Sequence, residues 1–441
     1  MATNLIINLI SIVPLAGEQD QIDLFFNKLS QSIGSLNQKV STTYSIILKN
    51  TTKEPDIIVL RNAVPFDIIL ESGDIGNANV LSKILSKILE KEKNNSFINK
   101  ILYCWGHALG FSLFSPITPE DLMKANFLSV LKPDSNFFIS EKSKVVDVFS
   151  QPYLVLNLMS ATINRNIFLT KTELTALTIN ELCKSIRANN LKFDLVVFDN
   201  CYMQTIDTVY AMAELTEYII APQTSIHWRG YDYNSFSNLS KKINTDFCKS
   251  FCKSSYDVLS QLANDRKDQN IAEISISCIS TNNSELFFKA ANDLIILIYN
   301  TLIKTNGQVN AGKMAGSIEK ALEQAQDVTL KPDGNGSRLE LYDVAVLFSL
   351  IVDRIDNQDF TNKLTEFMAL LTKMVISHDN ATSDFYKAKT TGISICFPKS
   401  IATTINNPYY FYFIREGAQI KSQFADANWD DLLRVYYRDF D

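Results

Sequence analysis

The sequence predicts an α/β fold: a mostly parallel sheet flanked by helices, with a helix-rich C-terminal region. Three observations predict it. Short apolar runs alternate with amphipathic stretches through the first half of the 441 residues. Several runs are near-continuous in Val, Ile, Leu and Phe, as in strands covered by helices on both faces. From residue 234 onward helical periodicity dominates.

The elements follow in order. Residues 5–13 form a buried first strand leading into a helix over about 19–32. Further strand-like runs occupy 44–48, 56–60, 67–70, 98–105, 193–198 and 218–221. Between them, 79–93 places Val80, Leu81, Ile84, Leu85, Ile88 and Leu89 on one helical face. Residues 174–188 do the same with Leu177, Leu182 and Ile186, and a helix over 205–215 comes straight after 199–203. The stretch 111–173 is irregular and rich in Ser, Lys and Asn. Connections of that length are usually functional or mobile. Helices are expected at 236–262, 284–302, 316–326, 339–355 and 360–377, then a strand at 392–397, an aromatic run at 409–413 and a last helix near 429–437. Lys331 to Ser337 (KPDGNGS) is the clearest loop. Two regions result: 1–233, carrying 111–173 as an insertion, and 234–441.

Composition narrows the function. With 46% hydrophobic and 20% charged residues the chain can bury a large core. A net charge of −6 argues against a nucleic-acid binder. The 7 cysteines are an odd number in mostly apolar settings, unlike a secreted disulfide framework, so a reducing compartment is expected. The apolar N-terminus has no Lys or Arg before Lys28, and Asn8 and Ser11 interrupt it, which disfavours a signal peptide. No run reaches the ~18 to 20 apolar residues of a membrane span. A cytoplasmic protein without membrane contact is the expectation.

Only 3 histidines are present. His107 ends Ile101-Leu102-Tyr103-Cys104-Trp105-Gly106-His107, just beyond a buried strand. His227 sits in a loop, and His378 opens a polar loop after a helix. Reactive groups in open α/β sheets gather beyond the carboxyl ends of strands, which favours His107 among the three; a lone histidine there would more often be a hydrogen-bonded structural residue, and Cys201 changes that balance. Cys201 also lies just past a strand end, after Phe193–Asn200, with a helix expected from about Met203. A thiol at a helix N-terminus is biased toward the thiolate, and N–H groups at such a turn can donate to an oxyanion. Cys104, Cys183, Cys278 and Cys396 sit inside apolar patterns and suit the role of small buried hydrophobes. Cys248 and Cys252, four apart on a helix, could share a metal, but the lack of further ligands at zinc spacing favours a structural role.

These segments resemble the clostripain-like family of caspase-fold cysteine peptidases. That family carries its His in a His-Gly-Gly-Gly type segment and its Cys in a Phe-Asp-x-Cys-x-Met type segment. Here the second stands as Phe198-Asp199-Asn200-Cys201-Tyr202-Met203. The order of His before Cys, and the long insertion between them, also match. Glu71-Ser72-Gly73-Asp74-Ile75-Gly76, Gly230-Tyr231-Asp232-Tyr233, Leu341-Tyr342-Asp343-Val344 and the 392–398 segment are weaker similarities that extend along most of the chain. One departure is clear: Ala108-Leu109-Gly110-Phe111 follows His107 where the family has glycines. Alanine keeps its N–H but not glycine's access to positive φ.

The resemblance implies a His107/Cys201 dyad and an oxyanion hole from the N–H groups of Ala108 and Cys201. It implies that Asp199 selects Arg or Lys at the cleaved position of a protein or peptide substrate, with Asp232 as a second pocket acid. A strand-end Asp199 capping the next helix is the competing role. Latency, processing within the insertion (Arg165 foremost, beside Lys142, Lys144 and Lys171), an activating protein, and calcium are further features the resemblance allows. No EF-hand spacing occurs. Two other classes stay open: a catalytically inactive caspase-like scaffold, and a different Cys-dependent enzyme such as an acyltransferase or amidase. A nucleotide-binding protein fits poorly, since GDIGNA lacks a P-loop lysine.

Overall fold

A computed structural model of the chain describes residues 3–12, 36, 40–50, 55–62, 64–66, 78–106, 108, 110, 112–113, 177–226, 230–237, 239–266, 274–303, 309–329, 340–380, 390–397, 424 and 428–438. In chain order the strands are β1 (Thr3–Ile12), β2 (Ser41–Asn50), β3 (Pro55–Arg61), β4 (Val64–Pro65), β5 (Phe97–Trp105), β6 (Ser112–Leu113), β7 (Leu177–Thr178), β8 (Phe193–Asp199), β9 (Thr216–Ala221), β10 (Ser275–Ser280), β11 (Leu341–Asp343), β12 (Val375–Asn380) and β13 (Ser394–Cys396). The helices are α1 (Ala78–Glu92), α2 (Ile179–Ala188), α3 (Ile206–Met212), α4 (Thr245–Arg266), α5 (Ser284–Ile303), α6 (Val309–Gln324), α7 (Val344–Val352), α8 (Gln358–Met374) and α9 (Trp429–Arg438).

One sheet of nine described strands runs β12-β10-β9-β8-β5-β1-β2-β3-β4. Its centre, β9-β8-β5-β1-β2, is parallel, and both flanks turn antiparallel. The fold class is therefore the expected one. Alternation along each central strand explains the burial. Leu102 and Cys104 of β5 join the core under α1, α2 and α3, while Ile101, Tyr103 and Trp105 join a second core on the opposite face under α4. Both faces are covered, so β5 and β8 carry continuous apolar runs, Ile101–Trp105 and Leu195–Phe198. α2 starts on a reciprocal cap, with Glu181 N–H donating to Thr178 Oγ1 and Thr178 N–H to Glu181 Oε2, both at 3.2 Å.

The asparagines that interrupt the apolar strands have structural partners. Asn4 Nδ2 donates to Leu239 O at 2.6 Å, and Asn99 Nδ2 donates to Lys241 O at 2.9 Å. Asn8 Oδ1 accepts from the Tyr233 hydroxyl at 2.9 Å. These bonds fasten the segment after residue 230 to the middle of the sheet.

Several expected elements change. β10 and β12 lie where only helix and loop were expected, and they form the far edge of the sheet. The boundary expected at 233/234 thus falls within one continuous sheet. The helix expected over 360–377 stops at Met374, and β12 continues from it. The helix expected over 339–355 is a strand, β11, followed by α7, because Asp343 accepts from the N–H groups of Ala345 and Val346 and caps a new helix. The helix expected over 236–262 is a single 3-10 turn at Tyr233–Phe236 and then α4. Among the described residues one helix, Thr281–Ile303, is long and apolar enough to cross a membrane by composition. It contains α5, whose Phe287, Ala291, Leu294, Ile295 and Ile298 are buried in the core. The strand at 67–70, the helix at 19–32, the loop at 331–337 and the aromatic run at 409–413 lie outside the described residues, as does most of 111–173.

Candidate active site

β5 and β8 are neighbours, and Trp105 pairs with Asp199, so both strands end at the same level. Gly106 leaves β5 with φ 135°, and Asn200 Nδ2 donates to its carbonyl at 2.8 Å, tying the two strand exits together. His107 and Leu109 lie outside the described residues. The left-handed steps fall on Gly106 and Gly110 (φ 82°), while Ala108 is not among the residues with positive φ. Ala108 instead makes an antiparallel bridge with Leu113, and Gly110 O accepts from the hydroxyls of Thr205 and Thr208, each at 3.3 Å. At position 108, alanine stands where none of glycine's special conformations is used.

Cys201 is half-buried on the turn that leaves β8. The helix expected from Met203 begins later, at Ile206, and Thr205 caps it by accepting from Thr208 N–H at 3.2 Å. Residues 202–204 instead run beside the exit of β9: Tyr202 N–H donates to Thr224 O and Gln204 N–H to Pro222 O, both at 2.9 Å. Tyr202 is held at φ 63°, a left-handed conformation worth ~1–3 kcal/mol of strain for a bulky residue and one that clusters at functional turns. The thiol is therefore not on a helix N-terminus. Among its polar contacts is Ile226, whose N–H donates to Sγ at 3.4 Å.

Asp199 does not cap α3; Thr205 does. Its carboxylate is 2% exposed and points into the face of the sheet covered by α4. Oδ2 accepts from the Tyr103 hydroxyl at 2.5 Å and from Tyr231 N–H at 2.9 Å. Burial, and then the Asp199 charge, hold the Tyr103 phenol well above its ordinary pKa, so it stays a donor. Gly230 packs against the carboxylate at φ 67°, where a Cβ would collide with Asp199 Oδ2. Asp232, two residues on, is half-buried, and its Oδ2 accepts from the hydroxyls of Ser235 and Ser254. One short segment, 230–232, thus carries the glycine packed against Asp199, a donor to it, and Asp232.

A family model described as the clostripain family matches residues 156–435, more than half of the chain. The chain belongs to the clostripain family. It is accordingly a cysteine peptidase by family, and Asp199, Cys201, Asp232 and Arg165 fall within the matched span. Solved structures resemble the fold over nearly the whole chain. An inactive zymogen C11 protease from Parabacteroides distasonis has a TM-score of 0.54 at 15% identity, covering 93% of this chain and 95% of its own. A secreted C11 cysteine protease from Bacteroides thetaiotaomicron, in complex with an irreversible peptide inhibitor, gives 0.53 at 13% identity, covering 97% and 99%. At these identities the likeness shows the shared fold alone. No curated protein sequence is significantly similar to the chain.

Of the other histidines, one lies among the described residues, away from this family site. His378, expected in a loop, lies in β12, three strands from β8, with Nε2 paired to Thr390 Oγ1 at 2.9 Å. Burial holds its pKa below the ordinary histidine value. His227 and Arg165 lie outside the described residues. All seven cysteines are free, and every one but Cys201 is buried. Burial pushes the thiol of Cys183 up to about 12 and those of Cys104, Cys278 and Cys396 well above the usual range. Cys248 and Cys252 meet Cys278 across the α4–β10 contact. Among the described residues no group of three His, Cys, Asp or Glu side chains could hold a metal ion, and no step below runs through one. Sequence reasoning missed Tyr103, Asn200, Ile226 and Gln223 as parts of the site. Only Gly230 carried a visible signal, as a lone glycine before an aromatic pair.

Proposed function

We propose that the chain is an endopeptidase that cleaves after Arg or Lys through Cys201 and His107. The observation that carries this is the half-buried Cys201 on the strained turn past β8, with the buried carboxylate of Asp199 two residues earlier. In the first step the Cys201 thiolate attacks the scissile carbonyl carbon, and the oxyanion is met by the N–H groups of Cys201 and Ala108. His107 as imidazolium protonates the leaving amine, and the C–N bond breaks. Water, giving up its proton to His107, then attacks the thioester, releasing the acid and restoring the thiol. A guanidinium or ammonium entering beside Asp199 would pair with a carboxylate held in a low-dielectric site, where such a pair is strong and geometrically selective.

The burial of Asp199 supports latency. Asp199 is covered by Gly230 and engaged by Tyr103 and Tyr231, so a substrate side chain reaches it only after the 230–232 segment moves. Cleavage at Arg165, or an activating protein bound at 111–173, is the opening event we favour. The seven free cysteines support a reducing, cytoplasmic setting.

The test is a set of fluorogenic peptides ending in Arg, Lys or Asp, assayed with added calcium and with a chelator, before and after incubation. Cleavage of the Arg and Lys peptides but not the Asp peptide is expected. A preference for Asp contradicts the role of Asp199. Intact mass of wild type and Cys201→Ala after incubation reads self-processing: cuts in the wild type alone support it, and equal uncut masses contradict it.

A further inference from the structure

We infer that the main-chain N–H of Ile226 is a catalytic group, the donor that stabilises the Cys201 thiolate; this rests on Cys201 being the nucleophile. A cysteine attacks as its anion, and the anion needs a positive partner or a donor close to the sulfur. The helix dipole cannot serve, because α3 starts at Ile206 and its first turn is capped by Thr205. In its place, Ile226 N–H donates to Cys201 Sγ at 3.4 Å. The reverse contact, from the thiol to the Ile226 carbonyl, spans 3.9 Å. The bond available to the anion is thus the shorter of the two, and a hydrogen bond to the charged form favours that form. When Cys201 ionises, its proton passes to the imidazole of His107; Ile226 keeps its own.

The donor is held in place by residues far along the chain. Residues 222–224 are bonded to 202–204 by the two backbone bonds described above. Between them, the fully buried Gln223 has every side-chain group engaged. Nε2 donates to Asp343 Oδ2 at 3.1 Å and to Ser394 Oγ at 3.0 Å, and Oε1 accepts from Gly392 N–H at 2.9 Å. Its own N–H donates to Ser275 Oγ at 3.2 Å. Asp343 in turn caps α7 and accepts from the hydroxyl of Thr391. A satisfied buried network of this kind fixes one geometry. Gln223 and Asp343 are therefore positioning residues, through which β11 and the 391–394 segment set the distance from Ile226 to the sulfur.

Two readouts test this without any peptide cleavage. Iodoacetamide alkylation of Cys201 is followed across pH by peptide mass spectrometry in wild type, Ile226→Ala and Ile226→Pro. The alanine variant keeps the N–H and should match wild type. The proline variant lacks it and should alkylate about tenfold more slowly at pH 7, its midpoint displaced upward by about one pH unit. Independently of how the proline variant folds, the Ile226 amide resonance of the isotope-labelled wild type should shift through the alkylation midpoint. In Cys201→Ala it should stay fixed. An amide that does not titrate while the thiol does overturns the inference, as does a folded Ile226→Pro with the wild-type profile. If thiol and amide titrate together yet no Arg or Lys peptide is cut, the inference is supported and the proposed substrate specificity is what fails.

Discussion

Replacing Cys201 by alanine is expected to lower kcat/KM on an Arg reporter by about 10⁴-fold or more, because removing a nucleophile removes the covalent route altogether. The loss should be chemical and not structural. Cys201 is half-buried at the edge of the core, and alanine fits the same turn, so a stability cost of about 1 kcal/mol is expected. His107→Ala should lose ~10²–10⁴-fold, the span of general acid–base assistance, with KM little changed. Thermal midpoints near the wild-type value in both variants, measured beside the kinetics, separate this from unfolding. Retained cleavage in Cys201→Ala would assign the nucleophile elsewhere.

The second large effect is expected at Asp199. Asp199→Asn keeps an acceptor for the Tyr103 hydroxyl and Tyr231 N–H but removes the charge. Truncating one side of a desolvated charge pair costs roughly 2–5 kcal/mol, so kcat/KM for Arg and Lys peptides should fall by about 30-fold to 10³-fold, while peptides with neutral residues change little. Asp199→Ala should show the same loss of selectivity and, in addition, destabilise the protein by ~1–3 kcal/mol, since it leaves the buried Tyr103 hydroxyl without this acceptor. Gly230→Ala should act through the same group: its Cβ needs space that Asp199 Oδ2 occupies, at a backbone φ of 67° that disfavours any side chain. If Asp199→Asn keeps the full preference for Arg, the selecting acid is Asp232.

The parallel centre of the sheet was legible because β5 and β8 are buried on both faces, which leaves a near-continuous apolar run in the sequence. The edge strands were not. β12 reads Val-Ile-Ser-His-Asp-Asn, half-exposed throughout, and its pairing with β10 is a tertiary fact without a local pattern. β10 itself alternates serine with apolar residues over a stretch too short to separate strand from loop. The position of Cys201 at a strand exit was legible from the same apolar run. What surrounds the sulfur was not, because Tyr202 to Gln204 continue a helix-compatible sequence while the N–H groups of Tyr202 and Gln204 bond to the carbonyls of Thr224 and Pro222. Thr205, a good N-cap residue, was the local sign of the later start. The same sign was present in Asp343 before its apolar run. The hydroxyl of Tyr103 beneath Asp199 joins residues 96 apart in sequence. Only the register of β5 on β8 brings it there, and register is set by which face each strand buries.

The most direct measurement treats the folded protein with an Arg-terminated peptidyl electrophile and maps the modified residue by peptide mass spectrometry. The proposed dyad gives a single adduct on Cys201, greatly slowed in His107→Ala. An adduct on one of the buried cysteines, or no adduct on a folded protein that has been given calcium and time to process, would contradict it.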